Sequence, residues 1–281
     1  MLNITERRGF TLVEIMAALA VTLIVSSGTY HLLVNAQRLT RAQAARMSVQ
    51  SIVRTGALIA ANELSELNTV PGGSPSQNDI FALGAHAVTY RAMRGIGLNC
   101  QTVGPTVIRL ARGSFSGHRD PQAGRDEALV FVRGDSATGS QDAWVAVNIT
   151  GVVTTSACPG GGPGITLTLA ASPSPQLLEQ GTPVRLAERM EMRLYEADAS
   201  WWLGVRSVNT GEAIQPLAGP LAPGGFQLEY LDREGAPTVD RTGIRSIRVT
   251  VRALEPAVEH TRPPLEEELI TQVTLRNSAV S

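Results

Sequence analysis

Apolar and polar positions divide the chain into three stretches with different periods. From Phe10 to Val34 the residues are almost continuously apolar, with a single acid, Glu14. A run of about 25 residues is long enough for a helix crossing a hydrocarbon layer of roughly 30 Å. From Ala36 the chain turns polar, yet small or apolar residues recur at Ala36, Leu39, Ala42, Ala45, Val49, Ile52, Gly56 and Ile59. Steps of three and four residues mark one face of an α-helix. Gln37, Arg38, Arg41, Arg46, Gln50 and Arg54 lie between them as a solvated face. Pro71-Gly72-Gly73 ends any helix. One helix from near Phe10 to about Leu67 would be about 85 Å long at a rise of 1.5 Å per residue. Gly28 and Gly56 interrupt it, each at about 1 kcal/mol of helix propensity. Gly28 permits either a bend or a close helix contact.

Beyond residue 75 the period changes to two. Ile165-Thr166-Leu167-Thr168-Leu169 alternates, as do Met190, Met192 and Leu194 against Glu191, Arg193 and Tyr195. Phe226, Leu228 and Tyr230 alternate with Gln227 and Glu229, and Ile247, Val249 and Val251 with Arg248, Thr250 and Arg252. Such segments are half-buried antiparallel strands with one wet face. Further strands are predicted over 86–91, 106–112, 128–133, 143–149, 201–207 and 269–276. With no helical stretch between them, a parallel βαβ sheet is not expected. Residues 159–164 (PGGGPG) and 219–225 (GPLAPGG) read as turns or loops. The predicted class is α+β: a long N-terminal helix, its first half apolar enough for a membrane, packed on a C-terminal antiparallel β-rich head. The parts are residues 1–9, the apolar helix 10–34, its amphipathic continuation 35–67, and the head over 75–281.

Composition changes this picture little. Aromatic residues are 4% of the chain, so Val, Leu, Ile and Ala must fill the core. The net charge of −1 gives no global field for nucleic acid. All 24 basic residues are arginine, which removes P-loop, Schiff-base and Ser-x-x-Lys chemistry.

Glu14 carries the chemistry of the N-terminal stretch. A carboxylate near a bilayer core costs about 2.5–3.5 kcal/mol on insertion scales, and no cation lies nearby in its own helix. A plain anchor explains Arg7, Arg8 and the apolar run but not the acid. A secretory signal would have a shorter apolar region followed by a small-residue cut site. Gly9-Phe10-Thr11-Leu12-Val13-Glu14, behind Arg7-Arg8, resembles the cleavage and methylation motif of type IV prepilins and type II secretion pseudopilins. The resemblance implies a leader, 1–9, removed by a prepilin peptidase between Gly9 and Phe10, and N-methylation of Phe10. It also implies that Glu14 pairs with the terminal amine of a neighbouring subunit. That amine, with a reference pKa of about 7.7–8.0, is largely cationic at neutral pH. Trp202–Arg206, Phe226–Gly235, Ile244–Val249 and Thr274–Asn277 resemble, in that order, PilW-type minor pilins and J-type pseudopilins.

In this orientation the head lies outside the cytoplasm, where disulfides persist, and Cys100 and Cys158 are expected to form one. Two cysteines without a histidine cluster do not complete a metal site, and no metal or cofactor is expected. His31, His86, His118 and His260 are scattered, and no catalytic motif appears. Gly134-Asp135-Ser136 reads as an ordinary turn rather than a nucleophile. Asp135 and Asp142 flank a polar loop without EF-hand spacing. Arg91, Arg94, Arg109, Arg112, Arg119, Arg125 and Arg133 against Asp120, Asp126 and Glu127 leave a local positive excess. It is read as arginines on wet strand faces in preference to a nucleic-acid site.

The expected function is a minor pilin, a subunit that assembles or primes a type IV pilus and is not an enzyme. The alternatives are a J-type pseudopilin of a type II secretion system and a tip binding module, either an adhesin or a DNA receptor. The implied partners are the prepilin peptidase, other minor pilins or pseudopilins, the major pilin and the inner membrane. The chain would span that membrane once, with its head in the periplasm or exterior, and join the pilus on assembly.

Overall fold

The computed structural model of the chain describes residues 10–70, 77–134, 142–174, 178–255 and 265–275. The chain divides into two compact units, one ending at Ser48 and one starting at Val49. A single helix, α1, runs Leu12–Ser65. In the first unit its apolar side chains are exposed: Leu19 is 58% accessible and Ile24 72%. Among the described residues, no heavy atom lies within 4 Å of where a Cβ on Gly28 would stand.

In the second unit the end of α1 becomes a core element. Val49, Val53, Gly56, Ala57, Ala60 and Leu64 are buried. The stripe thus keeps Val49 and Gly56 from the predicted set but otherwise turns by about one residue. Ile52 packs partly buried against the core. Leu39, on the predicted apolar stripe, is 61% exposed; buried positions on α1 begin at Val49. Gly56 is where the helix comes nearest the sheets. A Cβ there would stand 3.2 Å from Val251 Cγ1 and 3.4 Å from Ala218 Cβ. Here glycine offsets its poor helix propensity by letting backbone approach side chain.

Thirteen strands follow: β1 (Ile80–Leu83), β2 (Ala87–Gly104), β3 (Val107–Ala111), β4 (Ser116–Gly117), β5 (Asp126–Val132), β6 (Ala143–Ala157), β7 (Pro163–Leu169), β8 (Pro183–Ala197), β9 (Ser200–Ser207), β10 (Gln215–Leu221), β11 (Phe226–Leu231), β12 (Ser246–Glu255) and β13 (Leu265–Thr274). All ten segments with predicted strand character are strands. Three others were not legible. β1 and β4 are too short to show a period. β10 contains Gly219-Pro220, read as part of a loop, but Leu221 pairs with Trp201 across a bulge. Proline is tolerated there because β10 is an edge strand of its sheet.

Every ladder is antiparallel, and the long strands serve two purposes. β2 pairs with β8 along Ala87–Leu98, then leaves it for β3. From β3 the ladder passes to β7, β6, β5 and back to β8. These six strands therefore close on themselves. Inside lies one core, built on Ile108, Leu110, Val130, Ile149, Ile165, Leu167 and Leu186. The rest of β2 and β8, with β9 and β10, joins α1 and the sheet β11-β12-β13 around a second core that includes Tyr90, Met192, Leu203, Phe226, Val249 and Val251. The hairpin β8–β9 turns at Asp198 and Ala199, both at positive φ. Left-handed backbone at both central residues matches the right-handed twist of the flanking strands.

Candidate processing and assembly site

The N-terminal helix begins with a reciprocal lock. The Thr11 hydroxyl accepts the Glu14 backbone N–H at 3.3 Å, while Glu14 Oε2 accepts the Thr11 backbone N–H at 3.0 Å and its hydroxyl at 3.1 Å. Thr-x-x-Glu at a helix start is a capping box: two backbone donors that the helix leaves unpaired are satisfied by side chains. An acid in the first turn also opposes the positive end of the helix dipole. Thr11 was not singled out from the sequence. Its signal in the sequence is the Thr-x-x-Glu spacing at the start of the apolar run.

Both of these side-chain bonds reach Oε2. Among the described residues none reaches Oε1, so the carboxylate keeps one oxygen for a further donor. Phe10 is 84% exposed. Gly9, the other residue of the expected cut site, lies outside the described residues, as do the leader and Pro71-Gly72-Gly73. The helix behind this box is long and apolar enough to cross a membrane, and none of its most apolar 18-residue window is buried. His31 stands edge-on to Tyr30 at 6.1 Å on the same helix.

The arginine-rich region has a different structure from the one expected. Arg91 is buried, 4% exposed, and pairs with Asp79 at 2.9 Å and Glu127 at 3.2 Å. Glu188 is 1% exposed. On β8 it stands between Leu186 of one core and Met190 of the other. It takes hydrogen bonds from Arg94 at 2.9 Å, Arg119 at 3.2 Å and Arg125. Arg119 also grips Asp126 with two bonds of 2.7 Å, and Arg125 bridges to Glu212. Arg109 reaches Gln101 and Thr166, and Arg112 pairs with Asp120. Arg91, Arg94, Arg119 and Arg125 therefore serve internal charge pairing, while Arg112 and Arg133, with side chains 41% and 76% exposed, lie on the wet face expected. Three of the acids that pair them, Asp79, Glu188 and Glu212, lie outside the 91–133 segment, so a charge count over that segment cannot include them.

Burial pushes the Asp79 carboxyl up in pKa, against the pull of Arg91. Burial acts the same way on Glu188, but the nearby Ser207 hydroxyl, Arg94 and Arg125 outweigh it and hold that carboxyl below the usual range. Tyr230, whose hydroxyl donates to the Gly84 carbonyl at 3.1 Å, is pushed up by burial to about 12.

Cys100 of β2 and Cys158, just past β6, are joined in a disulfide with Cα atoms 5.8 Å apart. The bond ties two strands of the six-strand ring. Among the described residues no group of three or more His, Cys, Asp or Glu side chains is placed to hold a metal ion. His31, His86 and His118 remain apart in the chain, and His260, Asp135 and Ser136 lie outside the described residues. Asp142 accepts the Gly134 backbone N–H at 2.7 Å.

A family model described as the prokaryotic N-terminal methylation motif matches residues 5–30. No curated protein and no solved structure matches the chain. The matched segment takes in the Gly9-Phe10 junction, the Thr11–Glu14 box and the exposed start of α1, so the chain carries at its N-terminus a methylation motif of the type IV prepilin kind.

Proposed function

We propose that this protein is a minor pilin: a filament subunit cut between Gly9 and Phe10, N-methylated on Phe10, and held in the inner membrane by residues 10–34 until it assembles. The observation that carries this reading is the free oxygen of Glu14. The cap with Thr11 uses only Oε2, and a carboxylate carried into the membrane still costs insertion free energy that a cationic partner on Oε1 would offset. The cationic amine of a neighbouring subunit, freed at Phe10, is the donor that the motif supplies. The head has cores of its own and an internally paired charge network, so the filament contacts are assigned to the N-terminal helix. No catalytic role is assigned. A J-type pseudopilin would use the same helix chemistry, and the two are told apart by whether deletion removes pili or exoprotein secretion.

Processing is the direct test. Intact mass or N-terminal sequencing of the exported protein should give a chain beginning at a methylated Phe10, and Gly9→Val should leave precursor in the membrane. A mature protein that still begins at Met1 would overturn the proposal.

A further inference from the structure

Strand β13 ends its sheet. All ten of its residues pair with β12 in one unbroken register, and β12 is its sole strand partner among the described residues. Leu265–Thr274 carries no proline, lysine or bulge to keep the edge from pairing again; its edge charges are confined to Glu266, Glu267 and Glu268 at one end, so any added strand must place them away from like charge. Its middle is apolar and open: Leu269 is 36% exposed and Ile270 56%.

The two faces of the strand are fixed by its neighbour. Ile247, Val249, Val251 and Ala253 are buried in the core and lie opposite Val273, Thr271, Leu269 and Glu267. Those four therefore share the core face, while Glu266, Glu268, Ile270, Gln272 and Thr274 share the outer face. A free edge of this kind takes an added strand through its main chain, with side chains setting the register.

We infer that the occupant is β13 of a second copy of this chain, antiparallel and centred on Ile270. A two-fold axis normal to the sheet keeps core face with core face, so residues pair odd with odd and even with even. Centred on Ile270, that residue meets its own copy. Leu269 then faces Thr271, Glu268 faces Gln272, Glu267 faces Val273 and Glu266 faces Thr274. No glutamate meets a glutamate, and the most exposed apolar side chain of the strand is covered. A parallel in-register pair would instead stack the Glu266-Glu267-Glu268 run on itself, and like charges directly opposite are destabilising. A register centred on Leu269 sets Glu268 against Ile270. A register centred on Thr271 also keeps the glutamates apart, but it sets Ile270 against Gln272; only the register centred on Ile270 places that exposed side chain on its own copy. The contact is isologous and closes at two copies.

The test uses the full-length protein in its own membrane. Ile270→Cys places two thiols on directly opposed positions, with Cβ atoms about 4.5–5.5 Å apart, close to disulfide reach. Mild oxidation should convert it to a homodimer. Glu266→Cys and Thr274→Cys should each stay monomeric alone and cross-link when the two are expressed together. Adding Ile270→Glu to that mixed pair should cut the product roughly tenfold, by opposing two carboxylates at the centre. Equal cross-linking at all three positions, no product at Ile270→Cys, or a product containing a different protein would each overturn the inference. The pairing does not use the N-terminus, so it should persist in Gly9→Val precursor, which keeps its outcome separate from that of the processing proposal.

Discussion

Glu188→Gln should destabilise the second unit and make its stability less sensitive to acid. The carboxylate is 1% exposed and touches Arg94, Arg119 and Arg125. With it present, those three cations face three acids: Glu188, Asp126 and Glu212. Glutamine keeps the shape and one acceptor oxygen but leaves one cation uncompensated. Removing one partner of a buried pair costs about 3–5 kcal/mol. The three guanidinium side chains are 20–26% exposed, so water recovers part of this, and about 2–3 kcal/mol is expected. For a unit of this size that corresponds to a midpoint roughly 4–12 °C lower in a thermal melt. The sign of the pH dependence follows from the folded carboxyl titrating below its usual value of 4.5. Its contribution is complete above the unfolded-state pKa and disappears as pH falls through the lower folded one. Denaturant titrations of wild type and Glu188→Gln should differ most at neutral pH and converge below pH 4.5. A gap that stays constant into acid, or no gap at pH 7, would refute the assignment of Glu188 as the charged centre of the cluster.

Glu14→Ala should be cleaved normally, insert at least as well, and be absent from sheared filaments, as measured by immunoblotting of pilus and membrane fractions. Thr11→Val removes the cap hydroxyl, worth about 1 kcal/mol. It should leave filaments that incorporate the subunit, if less efficiently, because the open oxygen of Glu14 is retained. Alkylation without reduction should label neither Cys100 nor Cys158, and Cys100→Ser should lower stability by about 4 kcal/mol for a loop of 58 residues in urea titrations. Gly56→Leu should cost about 1–3 kcal/mol by overpacking against Val251 and Ala218. A stability unchanged by Gly56→Leu would contradict the close helix–sheet approach.

Elements whose signal is local were legible in the chain alone. The long apolar run, the stripe beyond it and the two-residue alternation placed the helix and ten of thirteen strands, because periods of 3.6 and 2 record which face is buried. The Thr-x-x-Glu spacing at the helix start is equally local, a cap signal carried within four residues. The pairing of Cys100 with Cys158 followed from the anchor reading and from there being no other cysteine. Every relation between distant segments came instead from the fold. Closure of β2, β3, β7, β6, β5 and β8 into a ring depends on long strands leaving one partner for another, and no period encodes a partner. Gly56 was a cost on the helix until Val251 and Ala218, from strands far along the chain, gave it a reason. The arginines counted as a local excess became a nearly balanced network only when Asp79, Glu188 and Glu212 were folded against them. Charge is a sum over space, and a sequence window sums over the wrong neighbours.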